Sequence, residues 1–125
     1  MAKSVKAKYQ ILVVDDEPTV CKAIQMMLNH FGHEVHTADG GAAALALFAT
    51  RPFDLVITDY SMPEMKGDQL VIHIRRRQPD QRIILATAFA EDFLAHAKSG
   101  HHVDFVLTKP FSLEELRAAI AKVMG

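Results

Sequence analysis

The sequence predicts an open α/β domain in which a five-stranded parallel sheet carries helices on both faces. Five short aliphatic segments recur along the chain, and each is followed by a stretch with helical spacing. Strands that alternate with helices form parallel sheets with right-handed crossovers. Five strands are fewer than the eight that a closed barrel needs, so we expect the sheet to be open and doubly wound.

Five segments have the composition of strands. Four of them are almost continuously apolar, as expected for strands that helices cover on both faces. The second is mixed in character, which is typical of a strand at the edge of a sheet. The predicted strands are residues 11–14, 34–37, 55–58, 83–86 and 105–108.

Helical spacing follows each strand. Apolar stripes in the first and last helices predict one buried face on each, and Met26 and Met27 are interpreted as core residues. Ser112 followed by Glu115 is a capping box that opens the last helix. A short, weakly patterned fourth helix is predicted at about residues 93–99. The first stripe is Val20, Ile24, Met27, Leu28 and Phe31, the last is Leu113, Leu116, Ile120 and Val123, and the helix-ending residues are Gly32, Pro79 and Gly100.

The length and the charge balance of the chain indicate one domain whose function depends on a local site. The 125-residue chain is half apolar, and its 14 basic and 15 acidic side chains nearly balance, so no overall charge attracts it to nucleic acid or a membrane. No apolar run reaches the ~20 residues of a membrane span and no export signal is evident, which indicates a cytoplasmic protein. The single Cys21 is expected in the core. We expect an N-terminal extension at residues 1–9, one domain at 10–125, and no attached output domain.

Polar residues stand where the strands end. Asp15 and Asp16 follow the first strand, and Asp59, Thr87 and Lys109 follow the third, fourth and fifth. Ligands of open α/β sheets bind at the carboxyl ends of the strands, so these five side chains should converge. The three carboxylates would repel one another unless a cation lay between them. A hard ion such as Mg²⁺ suits this oxygen-rich edge better than a soft metal such as zinc.

A carboxylate in such a site can act as a nucleophile toward phosphorus and form an aspartyl phosphate. This transfer depends on positioning and charge neutralisation more than on covalent help from the protein. Lys109 would supply positive charge, and the Thr87 hydroxyl would donate a hydrogen bond to a phosphoryl oxygen.

Four strings carry a family resemblance: ILVVDDEP, LVITDYSMPEMKG, ILATAF and LTKPF, in this order and spacing. Together they resemble the receiver domains of bacterial response regulators, including chemotaxis regulators, over about residues 10–124. The resemblance implies a flavodoxin-like fold with strand order 2-1-3-4-5 and a Mg²⁺-dependent role in a two-component phosphorelay. It also implies a sensor histidine kinase or a histidine phosphotransfer protein as phosphoryl donor, and an unidentified downstream protein target or output domain.

The same resemblance assigns roles at the acidic edge. Asp59 would be the phosphoacceptor. Asp16, Asp59 and the backbone carbonyl of Ser61 would ligate Mg²⁺, whereas Asp15 would act chiefly through metal-bound water. Lys109 would pair with the phosphoryl group.

The resemblance also predicts a conformational switch, and at one of its positions this sequence differs from many receivers. Thr87 would be the switch hydroxyl, with the small Ala88 leaving room beside it, and the Lys109–Pro110 bond would be cis. Val106 stands where many receivers have a Tyr or Phe that moves inward with the threonine, and Phe105 should point to the opposite face of the sheet. We therefore expect switching to run through Thr87 and the backbone after the fourth strand. The altered surface would lie around the fourth helix, fifth strand and fifth helix.

Two other protein classes fit the residues less well. A phosphatase resembling the haloacid dehalogenase group would carry Asp-x-Asp after the first strand, where this chain has Asp15, Asp16 and Glu17, and would need a cap over its substrate. A flavodoxin-type electron carrier must bind a flavin phosphate, which the acidic loop after the first strand of this chain would repel. The chain is predicted to be a regulator rather than a metabolic enzyme, one that catalyses only its own phosphorylation and dephosphorylation.

Three further patterns are interpreted as structural. His30, His33 and His36 recur every third residue, but Gly32 interrupts the helix between the first two, so they are interpreted as solvated side chains rather than metal ligands. The pair Gly40–Gly41 lacks the other glycines of a dinucleotide loop and is interpreted as a turn. The three arginines that close the third helix complement its dipole and are too few for a nucleic-acid surface.

Overall fold

The computed structural model describes residues 8–91 and 103–125. Its five strands form one parallel sheet in the order β2-β1-β3-β4-β5, so the predicted fold class and strand order are confirmed. The mixed second strand lies at an edge, as its composition indicates. The strands are β1 (Gln10–Val14), β2 (Glu34–Ala38), β3 (Leu55–Asp59), β4 (Arg82–Thr87) and β5 (Phe105–Thr108).

Three of the strands, β2, β3 and β4, run one residue beyond their predicted ends, and in β3 and β4 the added residue is polar. Asp59 pairs with Ala86 of β4, and Thr87 pairs with Thr108 of β5. Both polar residues are therefore the last members of their strands rather than the first residues of the loops. The sheet itself consequently fixes the backbone from which each side chain projects.

Helices cover both faces of the sheet and enclose two apolar clusters. Helices α1 and α4 pack on one cluster with β1, β3, β4 and β5, while α2 and α3 pack on the other. Alternate residues of β1 divide between the two clusters, because successive strand residues point to opposite faces. The helices are α1 (Pro18–His30), α2 (Gly41–Phe48), α3 (Gly67–Arg77) and α4 (Leu113–Met124). None of the helices in the described ranges is long and apolar enough to cross a membrane.

The helix predicted at about residues 93–99, with its end at Gly100, lies outside the described residues. The other boundaries follow from local chemistry. Ser112 Oγ accepts a hydrogen bond from the Glu115 N–H at 3.0 Å, and Glu115 Oε1 accepts one from the Ser112 N–H at 2.8 Å, so the predicted capping box is confirmed. Gly32 has φ of 92°, a value that glycine adopts without strain just after α1.

The interpretation of Met26 as a core residue is wrong, because its side chain is 61 % exposed. Successive helix residues differ by about 100°, so Met26 lies on the opposite side of α1 from Ile24, two positions earlier. Met27 is half-buried and packs on the core, and Cys21 is buried as expected.

Acidic side chains complete the hydrogen bonding where two strands begin. Asp54 Oδ2 accepts the Gln10 N–H at 2.7 Å, and the Asp54 N–H donates to the Gln10 carbonyl at 2.8 Å. Asp104 Oδ2 accepts the Ile83 N–H at 2.7 Å, and the Asp104 N–H donates to the Ile83 carbonyl at 2.8 Å. Each aspartate carboxylate therefore adds one hydrogen bond between neighbouring strands at the point where they begin to pair. We call such a bond a side-chain rung.

His33 likewise accepts a backbone hydrogen bond at the residue just before β2. Its interpretation as a solvated side chain is therefore wrong. Its Nδ1 accepts the Tyr9 N–H at 3.1 Å, and its ring lies 5.2 Å from the Tyr9 ring. Burial lowers the pKa of His33, which favours the neutral imidazole that this acceptor role requires. His36 is also half-buried, with Nε2 2.9 Å from a guanidinium nitrogen of Arg51.

An acidic site at the carboxyl edge of the sheet

Three aspartates meet at the carboxyl edge of the sheet. One carboxylate oxygen from each of Asp15, Asp16 and Asp59 lies within 4.8 Å of the other two. Asp15 is 2 % exposed and Asp59 is 9 % exposed, whereas Asp16 is half-buried. Among the described residues, no other group of three acidic, histidine or cysteine side chains has a comparable spacing. The structure thus brings together the carboxylates that the sequence places after β1 and at the end of β3.

Lys109 lies across this cluster. Its Nζ donates to Asp15 Oδ2 at 2.6 Å and to Asp59 Oδ1 at 3.2 Å. Its backbone N–H donates to the carbonyl of Thr87 at 2.9 Å, which fixes the start of the loop after β5 against the end of β4. The expected cis peptide bond between Lys109 and Pro110 is present. The second oxygen of Asp15 accepts the N–H of Glu17 at 2.9 Å.

Charge in the cluster is only partly balanced. Burial raises the pKa of Asp59, and the neighbouring Lys109 offsets part of that rise. Burial also pushes the pKa of Lys109 down, but its hydrogen bond to Asp15 and the charge of Asp59 outweigh this and raise the pKa overall. Three carboxylates thus face one ammonium group, which leaves two negative charges without a partner in the cluster. An all-oxygen donor set with this charge fits a hard divalent cation such as Mg²⁺.

Of the predicted switch residues, Thr87 is linked to the cluster through the backbone hydrogen bond from Lys109. Thr87 is 1 % exposed, and its Oγ accepts the N–H of Phe89 at 3.0 Å. Ala88, the next residue, is exposed, and its role beside the threonine stays a prediction. In β5, Phe105 packs on the cluster under α1 and α4, and Val106 projects from the opposite face, as the alternation of strand residues predicts.

The sequence patterns assign no role to one residue of the site. Gly67, the first residue of α3, donates its N–H to the Tyr60 carbonyl at 2.8 Å. A Cβ atom at this position would overlap the carbonyl oxygen of Asp59 and lie 2.9 Å from the Cα of Tyr60. The backbone that carries the Asp59 carboxylate is therefore packed directly against α3. Two signals in the sequence could have pointed to it: Gly67 is the last residue of the string LVITDYSMPEMKG, and it is a glycine at the start of a helix, where other residues are better helix formers.

Comparison with known sequences identifies relatives over almost the whole chain. The sequence model of the response regulator receiver domain matches residues 11–121. The probable transcriptional regulator ycf27 of Cyanidium caldarium is 36% identical over 124 residues, which cover 98% of this chain and 49% of that protein. The sensor histidine kinase GacS of Pseudomonas protegens is 36% identical over 93% of this chain and 13% of its own length. The chain thus spans about half, or much less, of these curated relatives.

A solved structure agrees with the sequence comparison. The response regulator protein TrrA of Thermotoga maritima, in complex with Mg²⁺-BeF, superposes with a TM-score of 0.84 at 35% identity over 91% of this chain and 97% of that one. The family match spans residues 11–121, which include Asp15, Asp16, Asp59 and Lys109, and the structural likeness extends over 91% of the chain. The chain therefore belongs to the response regulator receiver domain family, the phosphoacceptor domains of two-component systems.

Proposed function

We propose that Asp59 is the phosphoacceptor of this receiver and that the transfer requires Mg²⁺ held by Asp16, Asp59 and the backbone carbonyl of Ser61. The observation that carries the proposal is the convergence of three carboxylates opposite Lys109, with two negative charges left over. Asp15 would contribute negative charge and act chiefly through metal-bound water. Bound Mg²⁺ would neutralise charge on the nucleophile and on the phosphoryl oxygens, which suits its preference for carboxylate and phosphate ligands.

In the proposed reaction a carboxylate oxygen of Asp59 attacks the phosphorus atom of the donor. A bond forms between that oxygen and phosphorus, the bond from phosphorus to the donor atom breaks, and the donor leaves with the electron pair. Lys109 Nζ, 3.2 Å from Asp59 Oδ1, holds positive charge where the phosphoryl oxygens arrive. Attack of water on phosphorus later returns Asp59 to a free carboxylate and releases inorganic phosphate.

Switching is proposed to begin at Thr87. In the unphosphorylated fold its Oγ accepts the Phe89 N–H, so the hydroxyl hydrogen is free to point elsewhere. A phosphoryl group on Asp59 would attract that hydroxyl as a donor, pull Oγ from the Phe89 N–H and release the backbone after β4. This route needs no aromatic side chain at Val106.

The proposed donor is a sensor histidine kinase or a histidine phosphotransfer protein, and the proposed output is an altered protein-interaction surface. The domain acts as a regulator whose own chemistry is limited to gaining and losing one phosphoryl group. The family function and the likeness to part of a sensor histidine kinase support this place in a phosphorelay.

The proposal is tested by incubating the protein with acetyl phosphate and MgCl₂ and measuring its intact mass. Wild type should gain one phosphoryl group, and Asp59→Asn should gain none. Asp39→Asn is the matched control, because Asp39 follows β2 at the same edge of the sheet but stands outside the cluster. Labelling of Asp59→Asn at the wild-type level, or full labelling of wild type in EDTA, would contradict the proposal.

A further inference from the structure

The loop between β3 and α3, residues 60–66, is tightly constrained. The Gly67 N–H donates to the Tyr60 carbonyl at 2.8 Å, which closes the loop. Within it, the Met65 N–H donates to the Pro63 carbonyl at 2.7 Å, and Glu64 adopts φ of 71°, an uncommon value for a residue with a side chain. The loop therefore has little freedom to absorb a displacement of Met65.

Met65 projects from this loop into a space that exists because residue 41 is glycine. A Cβ atom at Gly41, the first residue of α2, would overlap the Sδ of Met65 and lie 3.0 Å from its Cβ and Cγ. The Met65 side chain is half-buried and packs on the cluster beneath α2 and α3. The Sδ atom could rotate away from a new methyl group, but the Cβ of Met65 moves only with the backbone of the loop.

We infer that Gly41 is a positioning residue for the acidic site, because it seats Met65 and thereby fixes the loop that carries Ser61. This inference rests on the proposed function, in which the Ser61 carbonyl and Asp59 hold Mg²⁺. Ser61 stands between Tyr60, which Gly67 holds, and Met62, which is 5 % exposed in the same cluster as Met65. A shift of Met65 is therefore passed along a short, anchored segment to the metal ligands.

The size of the effect follows from the contact distances. Ordinary contacts of a Cβ atom begin at about 3.4 Å, so a methyl group at Gly41 must push the Met65 Cβ and Cγ, now 3.0 Å away, by about 0.4 Å. A misplacement of 1 Å can cost about 100-fold in rate, so a displacement of about 0.4 Å predicts a loss approaching tenfold. We expect Gly41→Ala to weaken Mg²⁺ binding and to slow labelling by acetyl phosphate by about this factor.

The neighbouring glycine provides a matched control. A Cβ at Gly40 meets nothing within 4 Å, and its φ of 177° is open to any residue, so Gly40→Ala should bind Mg²⁺ like wild type. Mg²⁺ affinity is measured by isothermal titration calorimetry at a temperature where every variant is folded, and thermal stability is recorded separately. Met65→Gly and the double variant Gly41→Ala/Met65→Gly complete the cycle. The double variant should recover part of the tenfold loss, because glycine at position 65 removes every side-chain atom that the new methyl group would meet.

The outcomes separate this inference from the proposed function. If wild type binds no Mg²⁺ and is not labelled, the proposed function fails and the inference fails with it. If wild type binds and is labelled but Gly41→Ala matches Gly40→Ala, the inference alone is overturned. An unchanged Mg²⁺ affinity with a lower melting temperature would show that Gly41 is only structural. A double variant no better than Gly41→Ala would show that the effect does not pass through Met65.

Discussion

Replacing Lys109 by methionine should make the stability of this domain strongly dependent on Mg²⁺. Lys109 Nζ lies 2.6 Å from Asp15 Oδ2 and 3.2 Å from Asp59 Oδ1, and its side chain is only 20% exposed. Methionine has a similar length without the charge, so the variant keeps much of the packing but leaves the buried carboxylates to repel one another. In the metal-free protein this lysine is thus the internal counter-ion of the cluster.

The magnitude follows from the burial of the two ion pairs. Removing one partner of a buried pair costs about 3–5 kcal/mol, and the partial exposure of Lys109 favours the lower limit. In a domain of this size about 1 kcal/mol corresponds to roughly 4 °C, so we expect the melting temperature of Lys109→Met in EDTA to fall by about 12 °C. Mg²⁺ would bring positive charge to the same cluster of carboxylates and bind the folded state selectively, so millimolar MgCl₂ should recover most of this loss.

The assay is thermal unfolding followed by circular dichroism, in EDTA and in MgCl₂. Lys122→Met is the control, because Lys122 is exposed in the last turn of α4 and should shift the melting temperature by a similar small amount in both buffers. Equal losses for Lys109→Met with and without Mg²⁺ would refute the view that lysine and metal neutralise the same charges. No loss in EDTA would refute the role of Lys109 as counter-ion.

Three further perturbations follow from the fold. In His33→Asn an amide oxygen can replace Nδ1 as acceptor of the Tyr9 N–H without titrating. Because the pKa of His33 is lowered in the folded state, its contribution to stability is complete above the unfolded pKa of 6.5 and is lost as pH falls through the lower folded value. Urea titrations at pH 7 and pH 5 should therefore show a smaller acid-induced loss in the variant, and an identical loss would exclude His33 as its source. Gly67→Ala should lower the free energy of unfolding by about 1–3 kcal/mol, because the new Cβ meets backbone rather than a mobile side chain. A Gly67→Ala protein as stable as wild type in urea would show that the loop yields freely. Ser112→Ala should cost about 1 kcal/mol in the same measurement, through loss of the cap that its Oγ provides to the Glu115 N–H, and no change would mean that water satisfies that donor equally well.

The parallel sheet and the acidic edge could be predicted because both depend on simple repeated rules, whereas the strand order was implied only by the family resemblance. Alternating strands and helices give a parallel sheet, and parallel strands bring all their carboxyl ends to one edge. Asp15, Asp59 and Lys109 were therefore placed together from their positions alone, and the distances of 2.6 and 3.2 Å to Lys109 agree with that placement. The roles of these residues in phosphoryl transfer remain predictions.

Other features depended on contacts between segments far apart in the sequence. Nothing local distinguishes His33 from a solvated loop histidine, since its role comes from the Tyr9 N–H on the neighbouring segment. Met26 differs from Met27 only by one helical step, which decides whether the side chain meets the core or the solvent. The close approaches at Gly41 and Gly67 arise from how the loop after β3 folds back, and a glycine in the sequence does not reveal what lies against it.

The side-chain rungs formed by His33, Asp54 and Asp104 have a consequence for how the molecule can move. They secure the pairs β1–β2, β1–β3 and β4–β5 at the amino ends of the strands, the margin farthest from the aspartate cluster. Sliding any of these strands by one residue would break a rung and turn its apolar side chains toward the wrong layer. We therefore expect any rearrangement that begins at the aspartate cluster to be confined to loops and side chains, because these hydrogen bonds hold the register of the sheet at its opposite end.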